Sequence, residues 1–173
     1  LDLSKLEIDI SDNQIIETIN KSLKSKKETE QIFALELIKD TPQYLWKNTL
    51  VKLFNSENNK LKEKILLSSW FNKDVISDNI IIENLNQKSP IKSLAILCAG
   101  DRKIIESISI LENFLEDKNF EIRASSSISL LKMNSDHKNA NAVLTNLLNS
   151  NENKIIEKAL ELLINSDNLI NIY

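Results

Sequence analysis

Apolar residues along this chain recur at three- and four-residue steps, the spacing of amphipathic helices. Ile15, Ile16, Ile19 and Leu23 follow Ser11 and Gln14, which stand at capping-box spacing. Leu45, Trp46, Leu50, Leu53 and Phe54 follow Thr41-Pro42, where Thr41 reads as a cap and Pro42 as a first-turn residue. Ser77, Asp78 or Asn79 is placed to cap a helix over 80–85, and Ser89-Pro90 opens the next. Asp101 starts a segment over 104–115, and segments 137–148 and 153–164 complete the series. Polar runs such as Asn55-Ser56-Glu57-Asn58-Asn59 separate neighbours. No stretch alternates as a strand would. The pattern predicts about ten helices of roughly two to four turns.

The helices repeat in pairs. Glu30, Leu61, Ile91, Ile122 and Ile155 mark one register position, 31, 30, 31 and 33 residues apart. Four residues later stand Ala34, Ile65, Ala95, Ser126 and Ala159; five later, Leu35, Leu66, Ile96, Ser127 and Leu160; eight later, Ile38, Ser69, Ala99, Leu130 and Leu163. About seven before the register position an apolar residue closes each first helix: Leu23, Phe54, Leu85, Leu115 and Leu148. At about 100° per residue these offsets share one face. The small residues among them let helices approach closely. This explains the serines of Glu121 to Met133, EIRASSSISLLKM: Ser125 to Ser129 read as packing residues whose hydroxyls bond to carbonyls a turn earlier.

Ile122-Arg123 with Ser126, Ser127 and Leu130 resembles the second helix of the HEAT repeat family. Asp117, six before Arg123, occupies the place of an acid that in that family ties adjacent turns together. Lys62 and Lys92 replace the arginine elsewhere, and Gln31 and Ile156 depart from it. The resemblance spans about Ser11 to Asn165. It implies an all-α, right-handed α-solenoid of about five HEAT-like helix pairs, a single domain over 1–173, with the first repeat and the tail 168–173 as caps. LDLSKLEIDISDNQ and ETEQIFALELIKD are similar to the start of the HEAT region attached to bacterial ATP/ADP translocase-like membrane proteins. That resemblance implies a cytoplasmic regulatory domain beside a membrane part. The start at Leu1 rather than Met fits a fragment of a longer or processed chain.

Composition removes several function classes. Net charge is −3, and Arg102 and Arg123 are the only arginines, which leaves no electrostatic footprint for nucleic acid. Gly100 is the only glycine, so no glycine-rich phosphate loop exists. Cys98 is the only cysteine and reads as a packing thiol; one thiol forms no internal disulfide and no thiolate cluster, and it suits a reducing compartment. His137, the only histidine, lacks metal partners and reads as a solvated loop or helix-cap residue. The carboxylates, Glu157 and Glu161 among them, read as surface charges rather than an acid–base pair. No cofactor, metal or catalytic set is expected.

Offset six falls at about 240°, away from the packing face. Glu36, Leu67, Leu97, Ile128 and Glu161 stand there, with Leu94 and Phe71 flanking. The expectation is an exposed apolar stripe of Leu67, Phe71, Leu94, Leu97 and Ile128, rimmed by charge, that takes a protein or peptide partner. Burial by curvature or a following segment is the competing reading. A HEAT-like bilin (phycobilin) lyase-type subunit is the alternative, with a pocket around Trp46 or Trp70; as core anchors, those indoles would serve packing instead.

Overall fold

The computed structural model describes residues 12–170, with side chains through Ser166. Among the described residues the chain is all-helical, without strands. The α-helices run α1 Asn13–Leu23, α2 Glu28–Ile38, α3 Lys47–Phe54, α4 Asn59–Ser68, α5 Asp78–Asn86, α6 Lys92–Asp101, α7 Ile108–Phe114, α8 Phe120–Met133, α9 Lys138–Leu148 and α10 Asn153–Ile170. Tight 3-10 turns over Gln43–Trp46 and Ile105–Ser107 lead into α3 and α7. The chain divides into two compact units, Leu1–Ser77 and Asp78–Tyr173.

Within the first unit α1 packs on α2, α3 on α4, and the two pairs meet through α2–α4 and α1–α3. Within the second, α5 pairs with α6, α7 with α8 and α9 with α10, and the second helices stack as α6–α8–α10. The α6–α8 interface is the most extensive. Polar links between stacked second helices join residues about one repeat apart. Asn58 Nδ2 donates to Glu28 Oε2 at 2.8 Å, and Lys64 Nζ to Glu36 Oε1 at 2.6 Å. In the second unit, Lys132 Nζ bonds the Asp101 carboxylate and donates to Ser166 O at 2.8 Å.

The offset-four positions lie in the core, whereas Glu30 at the first register position is exposed and Ile155 at the last is half-buried. Ala34, Ile65, Ala95, Ser126 and Ala159 are all buried, and Leu23, Phe54, Leu85 and Leu115 close their helices inside. Leu148 is half-buried. Leu160, expected on the packing face, is 44% exposed. Both tryptophans are buried in the first unit, as core anchors should be. Gln43, which sequence reasoning overlooked, is buried too. Its side chain donates to Ser68 O at 2.9 Å and accepts from the Ser69 hydroxyl at 2.8 Å, fixing the 3-10 turn to the end of α4.

Several helix starts shift. Asp12 caps α1 by accepting from Gln14 N at 2.7 Å, while the expected cap Ser11 lies outside the described residues. The Thr41 hydroxyl donates back to Ile38 O at 2.8 Å, so it serves the end of α2 rather than the start of α3. Asp101 is the last residue of α6 rather than the opener of the following segment. Lys103 explains why: with φ at +52° it takes the left-handed place after α6. Lys103 N donates to Gly100 O and Ile104 N to Ala99 O, the paired bonds of a Schellman terminus. At the other end α10 continues to Ile170, so 168–170 are helical rather than a separate tail; 171–173 lie outside the described residues.

Candidate functional site

The serine-rich helix α8 is enclosed on all sides. Every residue from Ala124 to Leu130 is buried. Helices α6, α7, α9 and α10 all pack on it. Its serines do different things. The Ser125 hydroxyl is 2.5 Å from that of Ser93 on α6, and Ser129 Oγ donates to Ile96 O of α6 at 2.9 Å. Ser127 Oγ donates to Arg123 O at 2.8 Å, the back-bond expected of helical serines. The Ser126 hydroxyl is buried without a hydrogen-bond partner. Two of the four therefore stitch α8 to α6 instead of capping their own helix.

That close approach overturns part of the expected stripe. Leu97 and Ile128 are each only 2% exposed, so neither can meet a partner. Helices bearing Gly100, Ser93, Ser125 and Ser129 at their crossing come close enough to close over the offset-six positions. Leu94 is half-buried, and it belongs to the second unit with them. In the first unit Leu67 is half-buried and Phe71 is 41% exposed. There the α2–α4 contact carries the Glu36–Lys64 ion pair. Phe33 precedes Glu36 by one helical turn and is 48% exposed; Leu67 follows Lys64 by the same interval, and Phe71 lies just past α4. Phe33 and Leu67 thus stand one helical turn from the two partners of one ion pair. The Lys64 hydrogen bond holds the Glu36 carboxyl below its ordinary value. Phe33 was missed in the sequence because its register position is filled by Lys64, Leu94, Ser125 and Lys158 elsewhere, which hides any pattern.

The remaining candidates resolve as structural residues. His137 is the N-cap of α9: its Nδ1 accepts from Ala140 N at 3.2 Å, and Nε2 faces Glu112 Oε1 at 3.2 Å. The Cys98 thiol is fully buried in α6. Arg123 donates to the backbone carbonyls of Asp117 and Lys118, at 2.7 and 3.1 Å. The Asp117 carboxylate instead accepts from Asn119 N, so the arginine holds the turn by its carbonyls and not through the acid. Trp46 and Trp70 are 1% and 0% exposed, and neither indole offers a face for stacking a tetrapyrrole. Among the described residues no helix is long and apolar enough to cross a membrane.

No protein-family model, curated protein or solved structure matches the chain.

Proposed function

We propose that this chain is a right-handed α-solenoid of about five HEAT-like helix pairs acting as a non-enzymatic protein-binding or scaffolding module. Supporting the repeat reading are the second helices, which stack within each unit and are linked at sequence separations of 28 to 34 residues. Supporting the binding reading is one observation above all: exposed Phe33 and half-buried Leu67 stand one helical turn from Glu36 and Lys64, the ion pair joining α2 and α4, and Phe71 just past α4 is exposed. Apolar surface beside ordered charge is the composition of a protein-recognition patch. The binding surface is narrower than the sequence suggested, because the α6–α8 part of the stripe is internal.

The test is affinity capture from a lysate of the source organism with wild-type protein, Phe71→Asp and Phe33→Asp. Both substitutions fall at exposed positions, and circular dichroism checks that the helices remain. Proteins retained by wild type and lost by both variants would support the reading. Identical retention by all three would end it.

A further inference from the structure

The ring of His137 meets two helices at once. Its own N–H donates to Asn134 O at 3.1 Å in the turn after α8, and its extended backbone suits the N-cap of α9. Nδ1 accepts from Ala140 N at 3.2 Å, and Nε2 lies 3.2 Å from Glu112 Oε1 on α7. These two contacts fix the protonation of the ring. A nitrogen that accepts carries no proton, and a nitrogen that faces a carboxylate must donate. Both are met only by the neutral ring with its proton on Nε2. The Ala140 amide depends on this bond, because the first amides of a helix lack an intrahelical carbonyl. Ala140 itself is fully buried, so the bond secures a turn that packs into the core.

A second proton would go to Nδ1 and point at the Ala140 N–H, donor against donor. The charged ring would also sit at a helix N-terminus, whose own partial charge is positive. Both effects push it off α9. Glu112 holds it on the other side, where the bond to Nε2 becomes an ion pair. Among the described residues Glu112 is the one charged side chain that pairs with His137. The charged groups of α8 are engaged elsewhere: Arg123 with the carbonyls of Asp117 and Lys118, Glu121 with Lys158 and Lys132 with Asp101. On α10, Lys158 is taken by Glu121 and Glu161. Asp136 and Lys138, on either side of His137, are exposed and opposite in sign, and Glu116, one turn beyond Glu112, is exposed too.

We propose that His137 is a pH-operated latch between α7 and α9. The neutral ring joins both helices; the protonated ring stays with Glu112 and releases the first turn of α9. Imidazole side chains change charge between about pH 8 and pH 5, and that is the span in which the latch works. The device belongs to the second unit and does not rest on the protein-binding reading.

NMR of the intact chain tests it with two readouts. At about pH 8 the ring nitrogens of His137 should show the shifts of the Nε2–H tautomer. The protection factor of the Ala140 amide, corrected for the intrinsic pH dependence of exchange, should fall about fivefold from the top to the bottom of that span, the weight of one typical cap. His137→Asn keeps a good cap that does not titrate, so its Ala140 protection should stay constant. Glu112→Gln removes the anion that receives the charged ring, and the fall in protection should then need a lower pH. The Nδ1–H tautomer in the neutral protein would overturn the proposal. So would Ala140 protection that is flat with pH in wild type, or that falls equally in His137→Asn. A midpoint unmoved by Glu112→Gln would take α7 out of the device and overturn the latch.

Discussion

A Cβ built on Gly100 would lie 2.6 Å from both the Cα and the Cβ of Ser129. The only glycine of the chain therefore stands where α6 and α8 cross, and the crossing tolerates no methyl group. Gly100→Ala should destabilise the second unit by about 1–3 kcal/mol, the range for overpacking a tight core. Ser129→Gly in the same protein should recover only part of that, because the contact with the Ser129 Cα, at 2.6 Å, remains. Urea unfolding followed by circular dichroism measures both. An alanine variant as stable as wild type would mean the helices are farther apart than described.

The serines of α8 divide by what their hydroxyls meet. Ser129→Ala removes a buried bond to Ile96 O and should cost about 1 kcal/mol. Ser126→Ala removes a buried hydroxyl that has no partner, so it should be neutral or stabilising by up to about 1 kcal/mol. Equal losses in the two variants would contradict the assignment.

The repeat register was legible because it rests on residue size and polarity. Ala34, Ile65, Ala95, Ser126 and Ala159 all fall inside as their spacing demands. The same register misplaced Leu97 and Ile128, since periodicity gives a helix's phase and not how many neighbours surround it. Burial all round α8 depends on how closely α6 approaches, which Gly100 sets through a contact 29 positions along the chain (129 − 100). Leu160 failed in the opposite sense: its pattern is that of a packing residue, but packing also needs a partner helix. Helix boundaries such as the start at Asp12 and the stop at Lys103 depend on local backbone dihedrals, which the sequence pattern does not give.

Lys103 holds a left-handed backbone conformation after α6. A Cβ makes that region costly by about 1–2 kcal/mol, and glycine adopts it freely at some expense in unfolded-chain entropy. Lys103 is exposed, so its side chain contributes little packing. Lys103→Gly should raise stability by about 1 kcal/mol, read as a higher melting temperature. A drop would show that the lysine side chain itself matters there.

The Asp101 carboxylate is fully buried and bonded to Lys132, which also reaches Ser166 O on α10. Lys132→Met removes that ion pair and should cost about 3 kcal/mol. Asp101→Asn with Lys132→Met should cost less than the single lysine change, because the buried charge is then removed together with Lys132. A double variant worse than Lys132→Met would argue that Asp101 serves other partners more than Lys132.

Acid should weaken the first unit through its α2–α4 links. The Lys64 hydrogen bond lowers the pKa of Glu36, and that of Asn58 lowers Glu28, both from an ordinary 4.5. A carboxyl whose folded pKa is depressed stabilises fully above the unfolded value, and that contribution fades as pH falls through the folded one. Stability should therefore decline below about pH 4.5. Glu36 is 40% exposed, so its share is about 0.5 kcal/mol and shrinks in high salt. Glu36→Gln should flatten the acid limb of a urea-midpoint profile and leave the rest of the profile's shape alone. An unaltered acid limb would show that the Glu36–Lys64 pair does not couple α2 to α4 in solution.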